Sequence, residues 1–245
     1  MIIKEFESRE EWLNFRKGKI GGSSAYDVYS VKEPTADDIK KVLDEAKIEY
    51  KKSAPKAELK ALVPEEYADK IQDRLEKKMG YYQMMAEKLA VMEEGAEPNE
   101  TPLDRGTRLE PEAIKLFAEI TGKKISNDEV IWISDVHPSI TYSPDGVESE
   151  EEICETKCLS SALHLYIYFE KEIPSEYMRQ NIQGFVVNEK LKTLHFVCYD
   201  PRIPSLPLHY ITIHREDIKE QIEAHKQHQL KVLEMLEQDI ISLTF

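Results

Sequence analysis

Asp145, Glu155 and Lys157 are the residues whose types and spacing could do chemistry together. Ser143-Pro144-Asp145-Gly146 reads as a turn, because Pro presets φ and Gly tolerates what other residues avoid. Asp145 should therefore stand where one strand ends and the next begins. In Glu155-Thr156-Lys157 the two charged residues are two apart, so on a strand they project from one face. Cys154, Thr156 and Cys158 should then point the other way, into packing. A hairpin would bring Asp145 beside Glu155 and Lys157. Two carboxylates with a lysine suit phosphodiester hydrolysis. Carboxylate oxygens hold hard divalent cations. Such a cation acidifies a water and stabilises charge on phosphoryl oxygens. The lysine orients that water or offsets developing negative charge. The plain alternative for the trio is a surface ion pair on a half-exposed strand.

Two further segments could join them. Arg105-Gly106-Thr107-Arg108-Leu109-Glu110-Pro111-Glu112-Ala113 opens a helix, with Glu110 expected in its first turn. There its carboxylate could reach a metal, or simply cap the helix dipole. Tyr177-Met178-Arg179-Gln180-Asn181-Ile182-Gln183-Gly184 is helical, and Gln180 and Gln183 share a face. Gln180 could position an attacking water; the alternative is a solvated polar face.

Taken together these segments resemble the phage recombination exonucleases of the lambda exonuclease type, also called YqaJ-like, of the PD-(D/E)XK superfamily. The matching stretches are Trp12 with Arg16 and Ile20-Gly21-Gly22-Ser23-Ser24-Ala25; Arg105-Gly106 with Glu110-Pro111-Glu112-Ala113; Ser143-Pro144-Asp145-Gly146; Glu155-Thr156-Lys157; and Tyr177 with Gln180. They cover the N-terminal block and residues 101–200, about half the chain, in the family's order. The resemblance implies a restriction-endonuclease-like core and 5′-to-3′ digestion of linear double-stranded DNA, leaving a 3′ single strand. It implies Mg²⁺, replaceable by Mn²⁺, as two ions on Asp145, Glu155 and the Thr156 carbonyl, with Glu110 a further acidic ligand. Lys157 and Gln180 would act on the attacking water. Arg16, Ser23 and Ser143 would form a pocket for the 5′-phosphate; an Arg fork and hydroxyls near a helix N-terminus suit a phosphate. The resemblance also implies a homo-oligomeric ring, a trimer, working with a single-strand annealing protein, and a phage or prophage origin.

The elements that must position these residues can be read from periodicity. Residues 6–29 predict a helix capped by Ser8 and anchored by Trp12 and Phe15, a glycine turn, and a second helix capped by Ser23 or Ser24. Residues 33–100 carry 17 Asp/Glu, 12 Lys/Arg and only two glycines, Gly80 and Gly95, which predicts a helical insertion. Within it Thr35 caps one amphipathic helix, and Pro64 opens a longer one running to about residue 94. Leu75, Met79, Tyr82, Met85 and Leu89 recur near helical spacing, as a stripe packing on its own core or as a partner contact. Beyond residue 101 the pattern predicts a helix over 108–119, strands over 124–134, 139–143 and 151–158, helices over 160–170 and 174–188, strands over 193–199 and 208–214, and a closing helix over 215–238. The result is an α/β fold: a central mixed sheet flanked by helices, in one domain spanning 1–245 with an insertion at about 33–100.

Composition sets the outer bounds. The chain has 245 residues, 41% hydrophobic and 33% charged, which is a globular composition. No apolar run approaches the ~20 residues that span a membrane. Residues 1–7 lack an apolar signal core, so a cytoplasmic location is expected. The net charge of −14 argues against broad coating of duplex DNA, though a basic channel can coexist with an acidic exterior. Three cysteines, Cys154, Cys158 and Cys198, fall short of the four that iron–sulfur clusters usually take. His225 and His228 could share a helical face and bind zinc, but no Cys pair accompanies them, so a solvated face is the simpler reading. Two other functions stay open on the same core. One is a site- or structure-specific endonuclease. The other is a non-catalytic DNA-binding module, although decay would predict loss of an acidic or lysine position and all are present.

Overall fold

A computed structural model describes residues 3–22, 24–96 and 99–243, and the chain forms two compact units, Met1–Lys88 and Leu89–Phe245. The first unit holds most of the expected 33–100 insertion. It opens with α1 (Arg9–Arg16), capped by the Ser8 hydroxyl accepting from the Glu11 amide. Trp12 and Phe15 were expected as anchors, yet α1 buries none of its residues. Both rings lie at the surface under cations, Arg16 4.3 Å from the Trp12 centroid and Lys19 4.1 Å from that of Phe15. Next come α2 (Ala25–Val28) and β1 (Tyr29–Lys32), then α3 (Ala36–Glu45), whose Thr35 and Asp38 make a reciprocal capping box.

The rest of this unit departs from the pattern. α4 (Lys56–Ala61) comes first, and instead of one helix over 64–94 there follow a 3₁₀ turn (Glu65–Ile71), β2 (Arg74–Lys77) and only then α5 (Met79–Leu89). β2 pairs antiparallel with β1, Tyr29 opposite Lys77 through Lys32 opposite Arg74. Ladder bonds to a distant strand override a local helix preference. Leu75 therefore lies on a strand at 72% exposure, not on a helical stripe. Ile39, Val42, Leu43, Leu59 and Ile71 form the unit's own core.

The second unit is built on a mixed sheet. α6 (Pro102–Thr121) is followed by β3 (Trp132–Ile133), β4 (Thr141–Tyr142), β5 (Gly146–Ser149) and β6 (Glu152–Lys157). Then come α7 (Ser161–Glu170), α8 (Ser175–Val187), β7 (Thr193–Tyr199), β8 (Leu208–His214) and α9 (Lys219–Leu243). The sheet order is β5-β6-β7-β8, with β6 and β7 parallel and the outer pairs antiparallel. Joining parallel neighbours requires a crossover, and α7 with α8 supplies it. Leu109, Ala113 and Phe117 of α6 pack with Cys154, Val197 and Tyr199 on one side of the sheet. Ile153, Leu194 and Phe196 pack with Ile167, Phe185 and Ile222 on the other. The strand expected over 124–134 is reduced to β3 and a lone bridge from Ser126 to Val147.

Arg215 ties the crossover to the last strand. Its guanidinium donates to the carbonyls of Phe185, Asn188 and Leu191 at 2.6–2.7 Å. Those carbonyls end α8 and lead into β7, where helical acceptors have no partner of their own. Arg215→Met keeps a long apolar stem but removes every donor. It should lower the stability of the folded chain by about 2–4 kcal/mol, the cost of several charge-assisted bonds and stranded acceptors, as read by urea denaturation.

Candidate active site

The site gathers where β6 ends, and its arrangement begins with Gly146. A Cβ there would meet Cys154 Sγ and Ile125 Cγ2 at 2.6 Å, so only glycine lets β5 lie this close to β6. The hairpin then carries Asp145 to Thr156. Asp145 Oδ2 accepts from the Thr156 amide at 2.6 Å and from its hydroxyl at 2.9 Å. The sequence placed Thr156 among residues turned into packing; its hydroxyl is instead part of the site.

Glu155 is the centre. Its side chain is fully buried, and every oxygen is engaged. Oε1 accepts from Lys157 Nζ at 2.6 Å and Gln180 Nε2 at 2.5 Å, and Oε2 accepts from the Tyr142 hydroxyl at 2.5 Å. Lys157 and Glu155 therefore do share a face, and α8 brings Gln180 onto it. Tyr142 was not singled out in the sequence; its only signal was standing on the strand just before the Ser-Pro-Asp-Gly turn. Gln183, on the same helix, donates to the Thr141 carbonyl at 3.0 Å.

Glu110 completes the group from α6. That helix starts earlier than expected, at Pro102, with Thr101 and Asp104 closing a capping box. Glu110 thus lies two turns inside the helix, away from its first turn, and is not a cap. Its carboxyl is pushed up by burial and then by Asp145, against the pull of Lys157. Glu155 is likewise raised, first by burial and then by Asp145. Burial pulls Lys157 down, but Glu155, Asp145 and Glu110 outweigh it and hold the ammonium charged. Tyr142 is raised well above its ordinary value, chiefly by burial, and keeps its proton. A cleft of about 600 Å³ adjoins these groups, lined by Gly106, Glu110, Thr156, Lys157, Ser160 and Tyr177 among others.

Arg105, quoted in the sequence only as part of a motif, holds α6 against β6. It donates to the carbonyls of Cys158 (2.8 Å) and Leu159 (3.1 Å), and pairs with Asp200 (3.0 Å) and Glu93 (2.7 Å). Arg202 also donates to the Leu159 carbonyl, at 3.0 Å. The backbone leaving Lys157 is fixed by both guanidiniums.

The donor set suits a hard cation. It consists of oxygens, and three carboxylates share one lysine, so the local charge is negative. Among the described residues no three His, Cys, Asp or Glu side chains converge on one point. A cation would draw on Asp145 and Glu155 together with main-chain oxygen and water. His225 and His228 lie along a groove of α9 with Gln183 and Val232.

Ser23 lies outside the described residues. Arg16 belongs to the first unit. Ser143 donates its hydroxyl to the Val130 carbonyl at 2.7 Å.

Residues 11–187 match the YqaJ-like viral recombinase domain, close to three quarters of the chain. The chain belongs to the YqaJ-like viral recombinase family. A search of curated protein sequences finds no match. The fold is similar to that of an alkaline exonuclease (LHK-Exo) from Laribacter hongkongensis, solved alone and in complex with dAMP. In both comparisons the TM-score is 0.50 at 20% identity, over 96% of this chain and 99% of the other. A phage-related exonuclease from Haemophilus somnus 129PT gives a TM-score of 0.36 at 15% identity, over 84% of this chain and 97% of that one. At such identities the likeness is one of fold. The expected mixed-sheet α/β core of this family is thus what the second unit contains. Among the described residues, no helix is long and apolar enough to cross a membrane.

The carboxylate cluster makes a prediction about stability. A carboxyl raised by folding favours the fold below its unfolded value, about 4.5 for Glu110, and loses that contribution as pH rises through the folded value. Glu110→Gln should therefore raise Tm by a few degrees near neutral pH in a chelating buffer. The gain should vanish below pH about 4.5, where the native residue is already neutral. An equal gain at both pH values would mean that packing, not charge, separates the two proteins.

Proposed function

We propose that this protein is a divalent-metal-dependent DNA exonuclease, and one observation supports the reading above others. Glu155, buried beside Asp145, is held by Gln180 and by Lys157, which itself lines a cleft together with Glu110, in a chain of the YqaJ-like viral recombinase family. The name of a structurally similar protein, an alkaline exonuclease, agrees with it.

Asp145, Glu155 and the Thr156 carbonyl would hold Mg²⁺, with Glu110 a further acidic group; two ions are expected and Mn²⁺ should substitute. When bound, the metal supplies an acidified water and charge stabilisation at the phosphoryl oxygens. The chain's own residues do the rest. Lys157, paired with Glu155, acts on the attacking water and neutralises charge gathering on the phosphate. Gln180, a donor on the Glu155 side of the cleft, orients the water. Arg105 keeps α6 and the end of β6 together, so that Glu110 and Lys157 face one reacting phosphate.

The finer reading is 5′-to-3′ digestion of linear duplex DNA, starting at a 5′-phosphate and releasing mononucleotides. Arg16 carries the terminal-phosphate preference, joined by Ser23 and by Ser143, whose hydroxyl donates to the Val130 carbonyl and would have to turn to donate to a phosphate. A ring of three copies and a single-strand annealing partner would complete the recombination role. We further propose that all 245 residues serve one nuclease domain, its 33–100 insertion shaping the DNA path or a subunit contact.

Lys157→Ala should lower kcat about 10²–10⁴-fold while leaving DNA affinity largely intact, since its charge acts on the transition state. Equal turnover in the two proteins removes Lys157 from the chemistry. Full activity in excess EDTA removes the metal. A strand-by-strand time course tests polarity. Linear duplex with 5′-phosphates should be degraded faster than duplex with 5′-hydroxyls, and Arg16→Ala should shrink that difference. Digestion from 3′ ends, or equal rates on both, defeats the directional reading, and cutting of closed circular DNA would indicate an endonuclease.

A further inference from the structure

The segment leading into α6 lies mostly at the surface, and one acidic side chain turns inward from it. Val91 is 52% exposed, Met92 94%, and Glu94 is exposed as well, yet the Glu93 side chain is only 6% exposed. Burying a carboxylate is costly unless it is paired. Three guanidiniums meet this one. Oε2 accepts from Arg105, at 2.8 Å from Nε and 2.7 Å from Nη2, and Oε1 accepts from Arg108. Arg202 Nε stands 3.7 Å from Oε2, and the Val91 amide donates to the Arg202 carbonyl at 2.9 Å. Burial pushes the Glu93 carboxyl up; the bonds from Arg105 and Arg108 outweigh it and hold the carboxyl low.

Glu93 completes the surroundings of Arg105. A guanidinium carries five N–H donors in one rigid plane. Here Nη1 serves the carbonyls of Cys158 and Leu159, Nη2 serves Asp200 and Glu93, and Nε serves Glu93. Acceptors on every edge fix the plane, and so fix where Nη1 is aimed: at the two residues that follow Lys157. Asp200 is a weaker anchor, because it is shared with Arg202. Arg105 and Arg108 are three apart on α6 and carry like charge, and the carboxylate they share offsets their repulsion. Farther along the same helix is Glu110, which lines the cleft with Lys157.

We infer that Glu93 is a positioning residue for the reaction: acting through Arg105, it fixes the end of β6, and with it the ammonium of Lys157, relative to Glu110 on α6. This rests on the nuclease reading of the cleft. Glu93 itself touches neither the cleft nor a metal ligand. Its effect is geometric. Misplacing a reacting group by about 1 Å costs up to about 10²-fold in rate, and here the displacement starts at the residue next to Lys157.

The test uses the full chain with Mg²⁺ and linear duplex DNA, well below the Tm of each variant. Glu93→Gln keeps the shape and removes the charge. It should lower kcat about tenfold and leave the KM for DNA unchanged, a loss confined to the transition state. Glu93→Asp keeps the charge but draws it back by one methylene; it should lose less, and it carries the test if the Gln variant does not fold. Glu100→Gln is the comparison. It removes a carboxylate that meets Arg108 and not Arg105, so it should lower Tm and leave kcat alone. Arg105→Lys should lower kcat by itself, and adding Glu93→Gln to it should change little, because a residue acting through Arg105 loses its effect once Arg105 is gone. Unchanged kcat in Glu93→Gln, or in Glu93→Asp where the Gln variant does not fold, overturns the inference. So does an equal fall in Glu100→Gln, which would mean general loosening, or an undiminished effect of Glu93→Gln on top of Arg105→Lys. An unaltered chain that leaves linear DNA intact with both Mg²⁺ and Mn²⁺ overturns the nuclease reading itself.

Discussion

The constraint on which the second unit depends is a fully buried carboxylate. An isolated buried charge costs several kcal/mol, so Glu155 can exist at the end of β6 only if donors surround it. Three do, and each comes from a different place in the chain: Tyr142 from β4, Lys157 from β6 itself, and Gln180 from α8. The requirement fixes more than a side chain. It demands that the hairpin of β5 and β6 close tightly, that the crossover return α8 over the sheet, and that β4 lie between them. Removing one donor leaves a buried charge short of a partner, which is why the arrangement behaves as a unit.

The same logic recurs away from the cleft. Asp200 is also buried and also carries opposite charge around it, here from Arg105 and Arg202. Burial pushes its carboxyl up, and the hydrogen bonds and charge supplied by Arg202 outweigh that and hold it low. The contrast with Glu155 is instructive. Asp200 is compensated by fixed guanidiniums and stays ionised, a structural role. Glu155 and Glu110 remain raised beside Asp145, with one lysine among three carboxylates. Carboxyls raised in this way, in a unit where Asp200 is fully compensated, are the kind of perturbed groups that cluster at functional sites.

The first unit is held differently. Its core of Ile39, Val42, Leu43, Leu59 and Ile71 is apolar, and its ion pairs, such as Lys32 with Glu76, lie at the surface where they contribute little. Its exposed Trp12 and Phe15, each under a cation, give a net-acidic protein a local surface of aromatic rings and positive charge.

Much of this was legible in the sequence. The turn signal around Asp145 and the two-residue period of Glu155 and Lys157 located the strand Glu152–Lys157, because turn chemistry and side-chain alternation are local properties. The helices ending at Glu170 and Val187, and the strands Thr193–Tyr199 and Leu208–His214, follow for the same reason. Only the tertiary structure could decide the rest. Arg74–Lys77 became a strand because β1 stood ready to pair with it, and no local pattern announces a partner over forty residues away. Glu110 lies in a helix interior, not at a helix start, because the capping box at Thr101 stands ahead of the Arg105–Ala113 segment. Tyr142 reads as one more strand residue until α8, through Gly184, presses its ring against Glu155. Sequence determines which groups exist and which face they share along one element; their contacts across elements depend on burial, and burial is a property of the folded chain.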